Sequence, residues 1–133
     1  MKAVFADTSY YVAFLNANDA HHAAALRWSR RLRQPMVLTE YVLTELGSWL
    51  SVGPHRRHYP GLVRTLRGEP QTTILPASRE LFDRGLDLFE RRPDKEWSLT
   101  DCISFVVMRQ RRIEQALTTD HHFQQAGFTI LLK

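Results

Sequence analysis

The 133 residues carry 18 Lys and Arg against 14 Asp and Glu, a formal charge of +4, and 44% of them are hydrophobic. That length fits one core, expected here as a single domain over 1–133, and the apolar fraction excludes a disordered chain. The lone cysteine, Cys102, excludes an internal disulfide and points to a reducing, cytoplasmic setting, and no run of 18 apolar residues is present to cross a membrane.

Ala3-Val4-Phe5-Ala6 is a continuous apolar run ending at Asp7, as expected for a strand buried on both faces. Asp7, Thr8 and Ser9 interrupt the apolar N-terminus, which therefore lacks the core of a signal peptide. Residues 10–16 and 19–33 have helical periodicity, with Asn18 or Asp19 able to cap the second helix. Met36 to Leu38 reads as a second strand, and Thr39 caps a helix to about Val52, stopped by Gly53-Pro54. A basic helix follows over Tyr59 to Arg67, then a third strand from Thr72 to Leu75. Ser78 caps a helix to about Arg91, and another runs from Leu99 to Arg112. A fourth strand over Ala116 to Thr118, a short turn or helix from Asp120 to Ala126, and a last strand over Phe128 to Leu132 complete the pattern. Alternating strands and helices predict an α/β fold, a parallel sheet with helices on both faces.

All but three of the basic residues are Arg, in clusters at Arg27 to Arg33, Arg56 to Arg67 and Arg109 to Arg112. The guanidinium fork suits phosphate oxygens, so the clusters favour a polyanionic partner, although each singly reads as a solvated helix face.

Ligands of open parallel sheets sit at the carboxyl ends of the strands. Asp7 directly follows the first strand, and Asp120 follows the fourth across Thr118-Thr119. Either also reads as a helix cap. Glu45 lies about 40° beyond Trp49 at the border of the apolar stripe formed by Val42, Leu46, Trp49 and Leu50. It also reads as a rim glutamate. Asp101 opens a helix that is apolar nearly all round, and Ser98-Leu99-Thr100-Asp101 fits a capping box, which does not exclude metal binding. If these acids converge, each close pair repels by about 4 kcal/mol at 4 Å in an effective dielectric near 20. Protons or a cation must then neutralise them, and oxygen ligands suit Mg²⁺ or Mn²⁺. Spacing alone does not establish that convergence.

Ser9 stands where a haloacid-type phosphatase needs a second Asp, and Pro76-Ala77-Ser78 replaces the acceptor Asp of a receiver domain. The six glycines form no phosphate-binding loop, and one cysteine makes a structural zinc site a poor fit. Among the histidines, His122 stands beside Asp120.

Four segments in order resemble the PIN-domain ribonucleases, especially VapC-type toxins: FADTSYYVAFLNANDAHHAAA, LTEYVLTELGSWL, WSLTDCISFVVMRQRRI and ALTTDHHFQQAGF. The resemblance implies that Asp7, Glu45, Asp101 and Asp120 form one acidic site in a five-stranded parallel sheet. It implies Mg²⁺ or Mn²⁺ dependence and hydrolysis of RNA, with Thr8, Ser9 and Thr100 able to hold water or phosphate beside the acids. It further implies a homodimer silenced by an antitoxin that inserts a basic side chain. Tyr10, Tyr11 and Phe14 are candidates for the dimer surface, although core packing explains them as well. A housekeeping PIN nuclease in RNA processing and a non-catalytic RNA- or protein-binding relative are the alternative readings.

Overall fold

The computed structural model describes all residues 1–133. Its first strand, β1 (Val4–Ala6), is inaccessible to solvent at every residue, because it lies in the middle of the sheet with neighbours on both edges and helices on both faces. The other strands are β2 (Met36–Thr39), β3 (Thr72–Leu75), β4 (Gln115–Leu117) and β5 (Thr129–Ile130). All pair in parallel, in the order β3-β2-β1-β4-β5.

Between β1 and β2 lie α1 (Thr8–Leu15) and α2 (His22–Arg31). Between β2 and β3 lie α3 (Glu40–Trp49), a short 3₁₀ turn at Arg56–His58, and α4 (Tyr59–Gly68). The return crossing from β3 to β4 carries α5 (Arg79–Arg91) and α6 (Leu99–Arg111), and α7 (His121–Gln125) joins β4 to β5. Right-handed crossovers leading outward from β1 place α1, α2 and α4 on one face, and those in the opposite direction place α5 to α7 on the other. α3 packs on both α1 and α6 and so bridges the two layers beside the carboxyl end of β1.

The expected alternation is present, and the boundaries differ in instructive ways. α1 begins at Thr8, immediately after Asp7. α2 begins at His22, because Asp19 Oδ1 accepts from the His21 backbone N–H at 2.8 Å and holds a turn before the helix. α3 ends at Trp49, three residues short of the expected Val52. β5 is confined to Thr129–Ile130, since its one neighbour, β4, offers only three residues. The expected caps are made: Thr39 Oγ1 accepts from Val42 N at 3.2 Å, and Ser78 Oγ from Leu81 N at 3.1 Å.

The core joins β1, β2 and β4 to α6, whose Cys102, Ile103, Phe105, Val107 and Met108 are all buried. α5 rests directly on it at Gly85, where a Cβ would lie 2.3 Å from Ile103 Cγ1. Tyr10 and Tyr11 also belong to the core and Phe14 packs against it, in line with core packing as the reason for these residues. Exposed apolar side chains lie instead along α5, at Phe82, Leu86 and Phe89.

Candidate active site

β1 is the point where the chain's direction of travel across the sheet reverses, with β2 and β3 on one side and β4 and β5 on the other. Such switch points leave a crevice at the carboxyl ends of the strands. Here the crevice is a pocket of about 320 Å³, and Asp7, Glu45, Asp101 and Asp120 all line it. Asp19 and Glu96 line it too, whereas no Lys or Arg does. The far-separated acids therefore converge.

Each acid is held by its own element. Asp7 continues the sheet, its backbone N–H donating to Leu117 O at 3.1 Å. It occupies the N-cap position of α1, yet its side chain makes no capping hydrogen bond. Instead the Thr118 hydroxyl donates to Asp7 Oδ2 at 2.9 Å, and Ser9 Oγ approaches the same oxygen at 3.2 Å. Ser9 in turn sits 2.9 Å from Thr118 Oγ1 and accepts from Thr119 N at 3.0 Å. Two hydroxyl groups thus aim the Asp7 carboxylate. On α3, Glu45 accepts the Thr8 hydroxyl at 2.6 Å, which ties the helix to the start of α1.

Asp101 is the N3 residue of a complete capping box. Its backbone N–H donates to Ser98 Oγ at 3.0 Å, and its Oδ2 accepts from Ser98 N at 3.1 Å. Asp120 caps α7, its Oδ1 accepting from His122 N at 2.9 Å, while its own N–H donates to Thr118 Oγ1 at 2.9 Å. His122 Nδ1 lies 3.2 Å from both Asp101 Oδ2 and Asp120 Oδ1 and so bridges the two acids. Thr8, Ser9 and His122 line the pocket as expected. Thr100 does not: it occupies the first turn of α6, and only its neighbour Asp101 reaches the lining.

Burial makes this cluster electrostatically costly. Asp7 and Asp101 are 4% and 7% exposed. Desolvation pushes the Asp7 carboxyl up to about 7, and the charges of Asp101 and Glu45 push the same way. The Thr118 hydroxyl and the Thr8 backbone N–H oppose them. Asp101 is raised for the same leading reason, with Asp120 and Glu45 adding to it and the Ser98 N–H and His122 opposing.

This donor set fits a divalent cation. It is rich in carboxylate oxygen, hard in character, and has no Lys or Arg to satisfy it. On the rim, Asp120, His121 and His122 bring one ligand atom each within 4.8 Å of one another. His121 is exposed and does not line the pocket, so the deeper carboxylates are the better ligand set.

Sequence reasoning did not single out Thr118, Asp19 or Glu96 as parts of this site. It also placed Trp49 on a buried stripe, and Trp49 is 67% exposed at the pocket wall. The buried face of α3 runs instead through Val42, Leu43, Leu46 and Leu50. With Leu43 counted, the centre of that face lies roughly 75° from Trp49, which turns towards Glu45.

Residues 4–129 match the PIN domain. The chain belongs to the PIN-domain family. It is 30% identical over 128 residues to the 23S rRNA-specific endonuclease VapC20 of Mycobacterium tuberculosis, in strains CDC 1551 and H37Rv alike. That alignment covers 94% of this chain and 95% of the relative. The crystal structure of VapC20, described as a Sarcin-Ricin loop cleaving toxin, superposes with a TM-score of 0.86 at 27% identity, covering 95% of this chain and 96% of that one. FitAcB from Neisseria gonorrhoeae shares the fold at a TM-score of 0.68 and 16% identity, covering 96% of both chains. A PIN-domain protein with this all-parallel five-stranded sheet therefore carries the acidic pocket described above.

Proposed function

We propose that this PIN-domain protein is a divalent-metal-dependent endoribonuclease, the toxin of a toxin–antitoxin pair. The observation that carries the reading is the pocket at the carboxyl end of β1, lined by six carboxylates and no Lys or Arg. Similarity to VapC20 over nearly the whole chain supports RNA as the substrate. No helix is long and apolar enough to cross a membrane, in keeping with work on cytoplasmic RNA.

Asp7, Asp101, Asp120 and Glu45 would hold Mg²⁺ or Mn²⁺. Once bound, the ion supplies a Lewis acid for the phosphodiester and neutralises charge that develops on its oxygens. Ser9 and Thr118 fix the Asp7 carboxylate, Thr8 fixes Glu45, and His122 sets the spacing of Asp101 and Asp120. Such hydrogen-bonded partners orient metal ligands and commonly govern affinity 10- to 100-fold. The exposed Arg residues add a general attraction for a polyanion.

Two partners belong to this reading. One is an antitoxin whose basic side chain enters the pocket that holds none of its own. The other is a second copy of the chain, for which the exposed Phe82, Leu86 and Phe89 of α5 offer an apolar face.

The test is incubation of purified protein with a mixed RNA pool and Mg²⁺ or Mn²⁺, with and without EDTA, beside an Asp7→Asn/Asp101→Asn variant. Cleavage is expected from the wild type alone and only with metal. Intact RNA under every metal, or equal cleavage by the variant, overturns the assignment.

A further inference from the structure

We propose that Trp49 is a stacking platform for a nucleobase of the RNA, holding the strand against the Glu45 side of the acidic pocket. The proposal rests on the ribonuclease reading and adds to it the group that grips the substrate.

Trp49 follows Glu45 by four residues on α3, so the two side chains stand on one side of the helix, about 6 Å apart along its axis. Helical side chains lean towards the N-terminus, which carries the indole back over the Glu45 turn. Both line the pocket that holds Asp7, Asp101 and Asp120. Val12 and Trp49 are its only apolar lining residues, so this wall is no apolar docking face. It is one aromatic plane beside a set of carboxylates.

The other two tryptophans differ in kind. Trp28 Nε1 donates to Leu131 O at 3.2 Å, and Trp97 Nε1 donates to Gln125 Oε1 at 3.0 Å. Trp97 is buried and Trp28 packs against the core. Each has a structural task. The Trp49 N–H makes no bond within the protein, and two thirds of the residue faces solvent between the buried Leu46 and Leu50. The fold gains little from an indole held in this way, whereas a base gains a flat partner.

The chain beyond Trp49 supplies what the pocket lacks. It turns at Gly53, whose φ of +100° favours glycine, and then exposes Arg56 and Arg57. The Arg56 guanidinium returns to Ser51 O at 2.8 Å, which holds its charge near the end of α3. An aromatic plane followed by cations is the combination that binds single-stranded RNA, bases on the ring and phosphates on the guanidinium groups. Stacking tolerates any base, so the platform holds an unpaired nucleotide without dictating its identity.

The test uses a single-stranded oligoribonucleotide that the wild type cleaves, with Trp49→Ala and Trp49→Phe. Each oligonucleotide is also made with an abasic ribose at one position flanking the scissile bond. Trp49→Ala is expected to raise KM roughly 5- to 150-fold, the range of one lost stacking contact, with a much smaller change in kcat. Trp49→Phe restores most of the loss. At one position the abasic ribose penalises the wild type by a similar factor and leaves Trp49→Ala unaffected. Circular dichroism checks that both variants remain folded. Unchanged KM in Trp49→Ala, or an equal abasic penalty in both proteins, overturns the platform while leaving the nuclease assignment standing. So does a Trp49→Ala variant with normal RNA kinetics and an altered mass in sedimentation, which would give Trp49 to a protein partner. Absence of cleavage of any RNA by the wild type fails the ribonuclease reading itself, and the platform with it.

Discussion

Thr118 donates its hydroxyl proton to Asp7 Oδ2 at 2.9 Å, joining the ends of two neighbouring strands across 111 residues of chain. The same oxygen atom of Thr118 accepts from Asp120 N, so one hydroxyl sets two of the acids. Thr118→Val keeps the shape and removes both bonds. Divalent-ion affinity measured by calorimetry is expected to fall 10- to 100-fold, the usual cost of losing a ligand's orienting partner. Thr118→Ser, which retains the hydroxyl, is expected to stay near wild type. Equal affinity in all three proteins would reduce the bond to a matter of packing.

The raised Asp7 carboxyl gives the metal-free protein a distinctive pH dependence. The ordinary value is 3.8 and the folded value about 7, so between them the folded state holds a proton that the unfolded state has released. Stability from this group is complete below about pH 4 and is lost as pH rises through 7, about 4 kcal/mol in all. Urea titrations in EDTA from pH 4 to 8 are expected to show this fall, lessened in Asp7→Asn. At pH 7.5, Mg²⁺ or Mn²⁺ is expected to restore stability to the wild type and not to Asp7→Asn. A wild-type curve parallel to that of Asp7→Asn would remove Asp7 as the source.

Gly85 is fixed by its neighbour. A methyl group there meets the side chain of Ile103 at 2.3 Å and its backbone N and Cα at 3.2 Å, so rotamer change alone does not clear it. Gly85→Ala is expected to cost about 1–3 kcal/mol despite the better helix propensity of Ala. Denaturant midpoints of wild type and variant decide it, and an unchanged midpoint would mean that α5 slides freely on α6.

Arg112 ends α6 with φ +56° and ψ +41°, the one non-glycine residue in a left-handed conformation. Arg112→Gly is expected to stabilise the fold by about 0.5–1 kcal/mol, measured in the same denaturant series. A loss of stability would show that the arginine side chain contributes more than its backbone strain costs.

The sheet, its helices and the four acids were legible in the sequence because each carries a local mark. Buried parallel strands read as unbroken apolar runs, as at Val4 to Ala6, and Asp7 marks where the run ends. The box of Ser98 and Asp101 is a four-residue pattern, and both halves of it form. Convergence had no such mark, since it depends on β4 returning to lie beside β1. For the same reason Thr118 read only as the end of the fourth strand until its neighbour across the sheet was known. Trp49 was misjudged by angle: a stripe drawn without Leu43 includes the indole, whereas the true face of α3 turns it out towards the acids. Asp19 and Glu96 lie in loops, where no periodicity indicates which way a side chain faces.

The pairing of β1 with β4 also bears on how such a protein is made. The ribosome releases Asp7 and Glu45 early, but the strand that must lie beside β1 begins only at Gln115, and Asp120 comes later still. Every unfinished chain shorter than that lacks a wall of the pocket. A pocket built from both early and late segments therefore takes shape only once β4 has paired with β1.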